Sequence, residues 1–301
     1  MKIKCGYVAV LGKPNAGKSS LINAIVKEKV SIVSPKPQTT RNNILGIYND
    51  ENSQIIFVDT PGINKTHTGL DDYMQKSIKG AVSSVDVVIL CVDITKGISN
   101  LELNIIENYS KQNIKVLLLL TKIDLVLDNK VFEELSKYAY LTDKCELVPI
   151  SSYKNRNLNT LLNLIKENLP EVEEEEKFYS EETYTDKPLR FIVSEIIREK
   201  ALFYLDKEIP HGIAVAIEDY DESDPELVCI DACIVCDKDS HKAIILGKQG
   251  QMLKKIGHEA RVSIQKILQT KVVLNIFVKV KPNWKNNLEF LSSLGYNLNE
   301  I

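Results

Sequence analysis

Long hydrophobic runs are missing from this 301-residue sequence. The longest apolar stretches, "VDVVILCV" and "VLLLL", fall far short of the roughly 20 residues a bilayer-spanning helix needs. They read instead as buried strands of a parallel sheet. The opening "MKIKCGYVAVLG" passes straight into a strand pattern, so no secretory leader is expected. A charge bias is also missing: the formal net charge is −3, which gives no whole-chain attraction to nucleic acid. Any basic surface must therefore be local. Cysteines are few and scattered, at positions 5, 91, 145, 229, 233 and 236. Cys233 and Cys236 have CxxC spacing but lie in the strand-like "LVCIDACIVC", where residues three apart point to opposite faces. They are expected to be small buried apolar residues in a reducing compartment, not a metal or redox pair. Repeats are absent, as are low-complexity tracts beyond one acidic stretch.

What is present falls into two parts. Up to about residue 170 the strand candidates "YVAVLG", "QIIFVD", "DVVILCVD", "KVLLLLTKID" and "ELVPIS" alternate with helical segments. That alternation predicts an α/β domain with a doubly wound, mainly parallel sheet over 1–170. The acidic segment "LPEVEEEEKFYSEETYTDKP" shows no apolar periodicity and predicts a linker or solvated surface over 171–187. A second domain, 188–301, has an acidic half with Glu218, Asp219, Asp221, Glu222, Asp224 and Glu226. Its charge then inverts between Lys238 and Lys285, where many lysines and arginines face only Asp239 and Glu259.

Gly12–Ser19, "GKPNAGKS", matches G-x-x-x-x-G-K-[ST] between a strand and a helical stretch. Backbone N–H groups from Gly12 through Ala16 and Gly17 to Ser20 can wrap phosphates at a helix N-terminus. Lys18 would reach the β- and γ-phosphates, and the Ser19 hydroxyl would ligate Mg²⁺. "DTPG" ends a strand, so that Asp59 can hold the metal's water shell while the Gly62 N–H senses a γ-phosphate. "TKID", Thr121–Lys122–Ile123–Asp124, ends another, and "ISS", with Ser151 and Ser152, a third. A carboxylate at Asp124 accepts both N1–H and N2–H of guanine, a pattern adenine does not offer. A P-loop kinase or ATPase is the competing enzyme class, and Asp124 argues against it.

This ordered set resembles the translation-factor-related GTPases. The resemblance implies that Thr40 in "PQTTRNNILGIY", with Thr39 the second choice, closes on Mg²⁺ and the γ-phosphate. Segment 31–43 is otherwise polar and is expected to be a mobile switch, with 59–80 as its counterpart. Thr121 stands where the family has asparagine in NKxD, and Ser152 where it has alanine. Ile63 follows DTPG where Ras-like enzymes carry a water-orienting glutamine, which implies slow hydrolysis assisted from elsewhere. In related GTPases with "PNxGKS", the residue matching Asn15 helps hold a K⁺ ion; the alternative is that Asn15 only shapes the turn. The groups expected to act on the γ-phosphate are thus Lys18, Thr40, Gly62 and Asn15.

A second glycine loop, "GKQG" at Gly247, Lys248, Gln249 and Gly250, is no P-loop, because no GK[ST] follows. It lies between the helical stretches "SHKAIIL" and "QMLKKIGHEARVSIQKIL". Strands "GIAVAIEDY" and "ELVCIDACIV" precede them and "VVLNIFVKVK" follows. That is the layout of an α+β type II KH module, whose GxxG loop grips single-stranded RNA. Lys248, Lys254, Lys255 and Arg261 supply positive charge. Trp284 is open to two readings, stacking on a base or packing in the core.

Together the GTPase motifs, the acidic segment and the KH run ending in "SLGY" resemble the Era family across essentially the whole chain. The resemblance implies a GTP/GDP- and Mg²⁺-dependent GTPase of the cytoplasm, acting as a monomer. It would bind the 3′ region of small-subunit (16S) ribosomal RNA and assist 30S subunit assembly. A competing class is a regulatory GTPase coupling growth to the cell cycle, peripheral on the inner membrane face through the same basic residues.

Overall fold

The computed structural model describes residues 2–63, 68–82 and 85–296. Residues 64–67 of the expected second switch, and the last five of the expected KH domain, lie outside them. The first half runs β1 (Lys2–Gly12), α1 (Lys18–Val26), β2 (Ile44–Asp50), β3 (Ser53–Asp59), α2 (Gly69–Val82) and β4 (Val87–Asp93). It continues through α3 (Asn100–Lys111), β5 (Lys115–Thr121), α4 (Asp128–Lys137), β6 (Glu146–Pro149), α5 (Leu158–Glu167) and β7 (Glu171–Glu173).

β3, β4 and the interior of β5 read as unbroken apolar strings because both their faces are covered. Each residue of β3 and β4 is buried. The strand order is β2-β3-β1-β4-β5-β6, with β3, β1, β4, β5 and β6 parallel. One core packs α1 and α5 on one face, with Val10, Ile89 and Leu119. The other holds Leu90, Leu118 and Ile106. Truncating such a residue to alanine costs about 2–5 kcal/mol.

Two sequence expectations need amendment. β2, which is not among the strand candidates, follows the expected switch directly and pairs antiparallel with β3 as the sheet's edge strand. The acidic segment is not a free tether. Its β7 pairs with the start of β1, Ile47 N donates to Tyr184 O, and Leu45 N donates to Asp186. Phe178 packs its ring on Tyr7 at 5.1 Å. The segment therefore closes the edge that β2 leaves open, which is one way sheets avoid exposed edges.

The second half comprises α6 (Leu189–Tyr204), β8 (Ile213–Asp224), β9 (Leu227–Cys236), α7 (Asp239–Leu246), α8 (Gln251–Leu268), β10 (Lys271–Val280) and α9 (Leu288–Ser293). Its sheet is ordered β10-β9-β8, with β8 antiparallel and β10 parallel to β9. One face of α8 packs as core, with Ile256, Ala260 and Ile264 fully buried. Cys233 and Cys236 join different apolar clusters, on opposite faces of β9. Trp284 is fully buried and its indole N–H donates to Gly212 O at 3.1 Å, which leaves no face for a base. No described helix is long and apolar enough to cross a membrane.

Candidate functional site

The loops that follow β1, β3 and β5 and the segment between α1 and β2 border one cavity of about 350 Å³. Its floor is the loop joining β1 to α1. Gly12 takes φ +145, and a Cβ there would lie 2.4 Å from Cys91 O, so only glycine fits this approach of loop to strand. Lys18, first residue of α1, turns back and donates to Gly12 O and Lys13 O, both at 3.1 Å. Lys13 is fixed from outside: its ammonium donates to Ser99 Oγ at 2.8 Å and pairs with Glu102 at 3.1 Å. Ser99 and Glu102 form the capping box of α3, so a helix start braces the phosphate loop.

Ser19, Thr40 and Asp59 converge. Ser19 Oγ donates to Asp59 Oδ2 at 2.7 Å and lies 2.9 Å from Thr40 Oγ1, which is itself 3.3 Å from Asp59 Oδ2. Asp59 Oδ1 is buried without a partner. Three hard oxygen atoms with a buried carboxylate oxygen left over fit a small dication such as Mg²⁺. Burial pushes the Lys18 ammonium below its ordinary value and the Asp59 carboxyl above its own, each partly offset by the other's charge. The geometry therefore favours Thr40 over Thr39, whose hydroxyl turns away to Lys36 O.

At the base end, Thr121 Oγ1 lies 2.8 Å from Ala16 O and 3.1 Å from Val92 O. The threonine hydroxyl thus braces the phosphate loop, the job expected of the missing asparagine. Lys122 borders the cavity and is held by Asp93 at 2.7 Å. Asp124 accepts a bond from Ser151 Oγ, which aims its carboxylate. Ser152 follows, half-buried. Gly62 borders the cavity against Pro14. Asn15 holds φ 62 and reaches Pro35 O at 2.5 Å.

Segment 31–43 departs from the expectation of a loosely held switch. Ser31, Ile32, Thr40, Arg41 and Asn42 are buried, because the segment lies against the second domain. Arg198 of α6 donates to Thr39 O, and its guanidinium also bonds Glu195 at 2.7 and 2.5 Å. Glu199 accepts from Val33 N at 2.9 Å and from Lys29. In the other direction Arg41 enters the second domain and donates to Ile213 O at 2.7 Å, 5.9 Å from the Trp284 ring centroid. Gln38 borders the nucleotide cavity and donates to Asp71 of α2 at 2.9 Å. Sequence reasoning missed these residues. Arg198 and Glu195 read as an exposed helical i,i+3 pair until another domain covers them.

The GxxG loop stands apart, at the α7–α8 junction. Gly247 adopts φ +69 with ψ −178, a region only glycine occupies readily, and a Cβ there would meet Met252 Cβ at 2.6 Å. Lys248, Gln249, Lys254, Lys255 and Arg261 are all exposed. Gly250, Lys254 and Arg261 border a groove of about 500 Å³, together with Gly257, His258 and Ile276. The last three were not expected; they are visible only once α8 lies along β10.

Comparison with known proteins decides the family. Residues 7–122 match the family model described as a 50S ribosome-binding GTPase, and residues 208–285 match the KH domain model. GTPase Era of Ruminiclostridium cellulolyticum is 42% identical over 300 residues, covering 100% of both chains. The chain belongs to the Era family of GTPases. GTPase Era of Clostridium botulinum (strain Eklund 17B) is 46% identical, over 97% of this chain and 98% of that protein. A solved structure of Era with MgGDPNP and nucleotides 1506–1542 of 16S ribosomal RNA matches at TM-score 0.92 and 38% identity, over 98% of this chain and 100% of that one. A variant of Aquifex aeolicus Era bound to GDP·AlF4⁻ matches equally well. As an Era-family GTPase the chain hydrolyses GTP to GDP and phosphate with Mg²⁺, on an α/β domain followed by a type II KH domain.

Proposed function

We propose that this Era-family GTPase binds the 3′ region of small-subunit (16S) ribosomal RNA and acts in the cytoplasm as a GTP-controlled factor in 30S subunit assembly. Full-length likeness to an Era chain crystallised with that RNA carries the reading. The exposed basic GxxG loop and its groove give it a physical basis. We divide the chain into a GTPase domain at 1–170, a connecting segment at 171–187 and an RNA-binding domain at 188–301. The chain works as a monomer.

In this proposal the loop Gly12–Ser20 holds the triphosphate, with Ala16 and Gly17 offering N–H groups. Thr121, Lys122, Asp124, Ser151 and Ser152 hold the guanine. Bound Mg²⁺, on Ser19, Thr40 and Asp59, would neutralise charge on the β- and γ-phosphates. Water attacks the γ-phosphorus and the bond to the β–γ bridging oxygen breaks, leaving its electrons on GDP. Lys18 stabilises the charge that gathers there, and the Gly62 N–H bonds a γ-phosphate oxygen. Ile63 cannot orient the water. Asn15 donates its side-chain amide N–H to the Pro35 carbonyl and so ties the P-loop to the switch; in the proposed role its amide oxygen would turn to K⁺ when nucleotide is bound. Equal turnover in sodium and potassium chloride at matched ionic strength would refute the K⁺ role.

Thr40 stands among the metal-facing oxygens while its neighbours Thr39 and Arg41 are bonded to the RNA-binding domain. GTP-ordered switch and docked RNA domain are therefore one state in this proposal, with GxxG residues Gly247, Lys248, Gln249 and Gly250, plus Lys254, Lys255 and Arg261, gripping the RNA backbone. Crosslinking the GTP-loaded protein in its own cell extract and sequencing the attached RNA tests the assignment. Enrichment at the small-subunit RNA 3′ end supports it; scattered messenger fragments defeat it.

A further inference from the structure

One wall of the nucleotide cavity comes from the other domain. Phe203, in the last turn of α6, lines the cavity together with Asn15, Lys18, Val33 and Pro35. Among the described residues it is the cavity's one lining residue from beyond position 187. The residue is 65% exposed, so its ring has a free face toward the cavity mouth. The same helix end is fastened to the switch by Glu199, one turn earlier, and by Asp206, which accepts from Lys36 at 2.6 Å.

Phe203 is also joined to the RNA-facing helix. Tyr204 meets it edge-to-face, with centroids 5.1 Å apart and planes at 89°. Lys255, the fifth residue of α8 after the GxxG loop, places its ammonium 4.3 Å from the Tyr204 ring centroid. Tyr204 packs on the core of the RNA-binding domain. A lysine that balances an aromatic face here and is exposed to an approaching RNA phosphate has two competing partners.

We propose that Phe203, from the RNA-binding domain of the same chain, completes the nucleotide site by packing on bound GTP or GDP. Tyr204 and Lys255 then connect that wall to RNA held at the GxxG loop. The second half rests on the RNA reading given above. RNA that draws Lys255 from Tyr204 alters the support of the Phe203 ring, and so alters nucleotide release. By linkage, nucleotide alters RNA affinity by the same factor.

Two measurements on the full chain test this. The first is release of a fluorescent non-hydrolysable GTP analogue without RNA. Phe203→Ala should speed it by about threefold or more, and Phe203→Trp should hold it near the native rate, as expected for one aromatic contact. Equal rates for the native chain and Phe203→Ala, with both folded by thermal melting, overturn the wall. The second is the analogue's affinity with and without an RNA of the sequence 1506–1542 named above. The native chain should show a ratio of about three or more, and Tyr204→Leu, which removes the ring that competes for Lys255, a ratio near one at saturating RNA. An unchanged ratio in Tyr204→Leu, or a native ratio of one with RNA bound, overturns the connection. Failure of the native chain to bind that RNA refutes the RNA reading and the connection with it, while the wall is still judged by the first measurement.

Discussion

Arg198, on the first helix of the RNA-binding domain, donates its guanidinium to the backbone carbonyl of Thr39, the residue before the switch threonine Thr40. It is 1% exposed and shares its remaining bonds with Glu195. Removing the side chain leaves Glu195 buried without its partner and frees the switch at the metal-facing position. Arg198→Ala should lower stability by about 3 kcal/mol, as for a broken buried pair. Denaturant unfolding measures this, and Arg198→Lys should restore only part of it, because one ammonium cannot serve both partners.

Thr121 holds the phosphate loop through Ala16 O. Thr121→Val keeps the shape and deletes the hydroxyl. Loss of one such bond, about 1 kcal/mol, should weaken GTP and GDP alike by about fivefold. Unequal effects on the two nucleotides, read by calorimetric titration, would show that Thr121 does something other than brace the loop.

In the proposed site Asp124 reads the base through its charge. Asp124→Asn should reduce GTP affinity by about tenfold to a hundredfold, the range for a hydrogen bond to a charged group. The same variant should gain affinity for xanthosine triphosphate, whose ring presents the complementary carbonyl. Competition between the two nucleotides gives the answer in one experiment.

Acid should loosen the site before it unfolds the sheet. Burial alone would raise the Asp93 carboxyl, but the Lys122 ammonium and the Thr95 hydroxyl and N–H bring it below its ordinary value. Glu102 is lowered in the same way by Ser99 and Lys13 against its burial. A depressed folded-state value means that the stabilisation is present above the unfolded value, about pH 4, and is lost as pH falls through the folded one. Asp93→Asn should flatten the acid limb of the stability curve; an unchanged limb contradicts the argument.

The sequence made the GTPase site legible because its parts are contiguous or end strands. Gly12–Ser19 is one loop, while Asp59, Thr121, Asp124 and Ser151 follow apolar runs that the fold makes parallel. Gly247–Gly250 was legible for the same reason, as a short loop between two helices. The interface was not. Arg41 and Ile213, or Thr39 and Arg198, are brought together by packing of two domains, and no periodicity within either segment records that. Trp284 stood between two readings because an aromatic in a basic tail looks alike in both. Its burial comes from Leu70, Tyr73 and Met74, far away in the chain. The acidic segment lacked apolar period because its backbone, more than its side chains, makes the contacts with β1 and β2.

The central claim is that the GTP-ordered switch and the docked RNA-binding domain are one state. Affinity for the 1506–1542 RNA, measured by anisotropy with Mg²⁺ and either a non-hydrolysable GTP analogue or GDP, tests it most directly. The two affinities should differ by about fivefold or more in the native chain and converge in Arg198→Ala. Equal RNA affinity in the two nucleotide states of the native chain would contradict it.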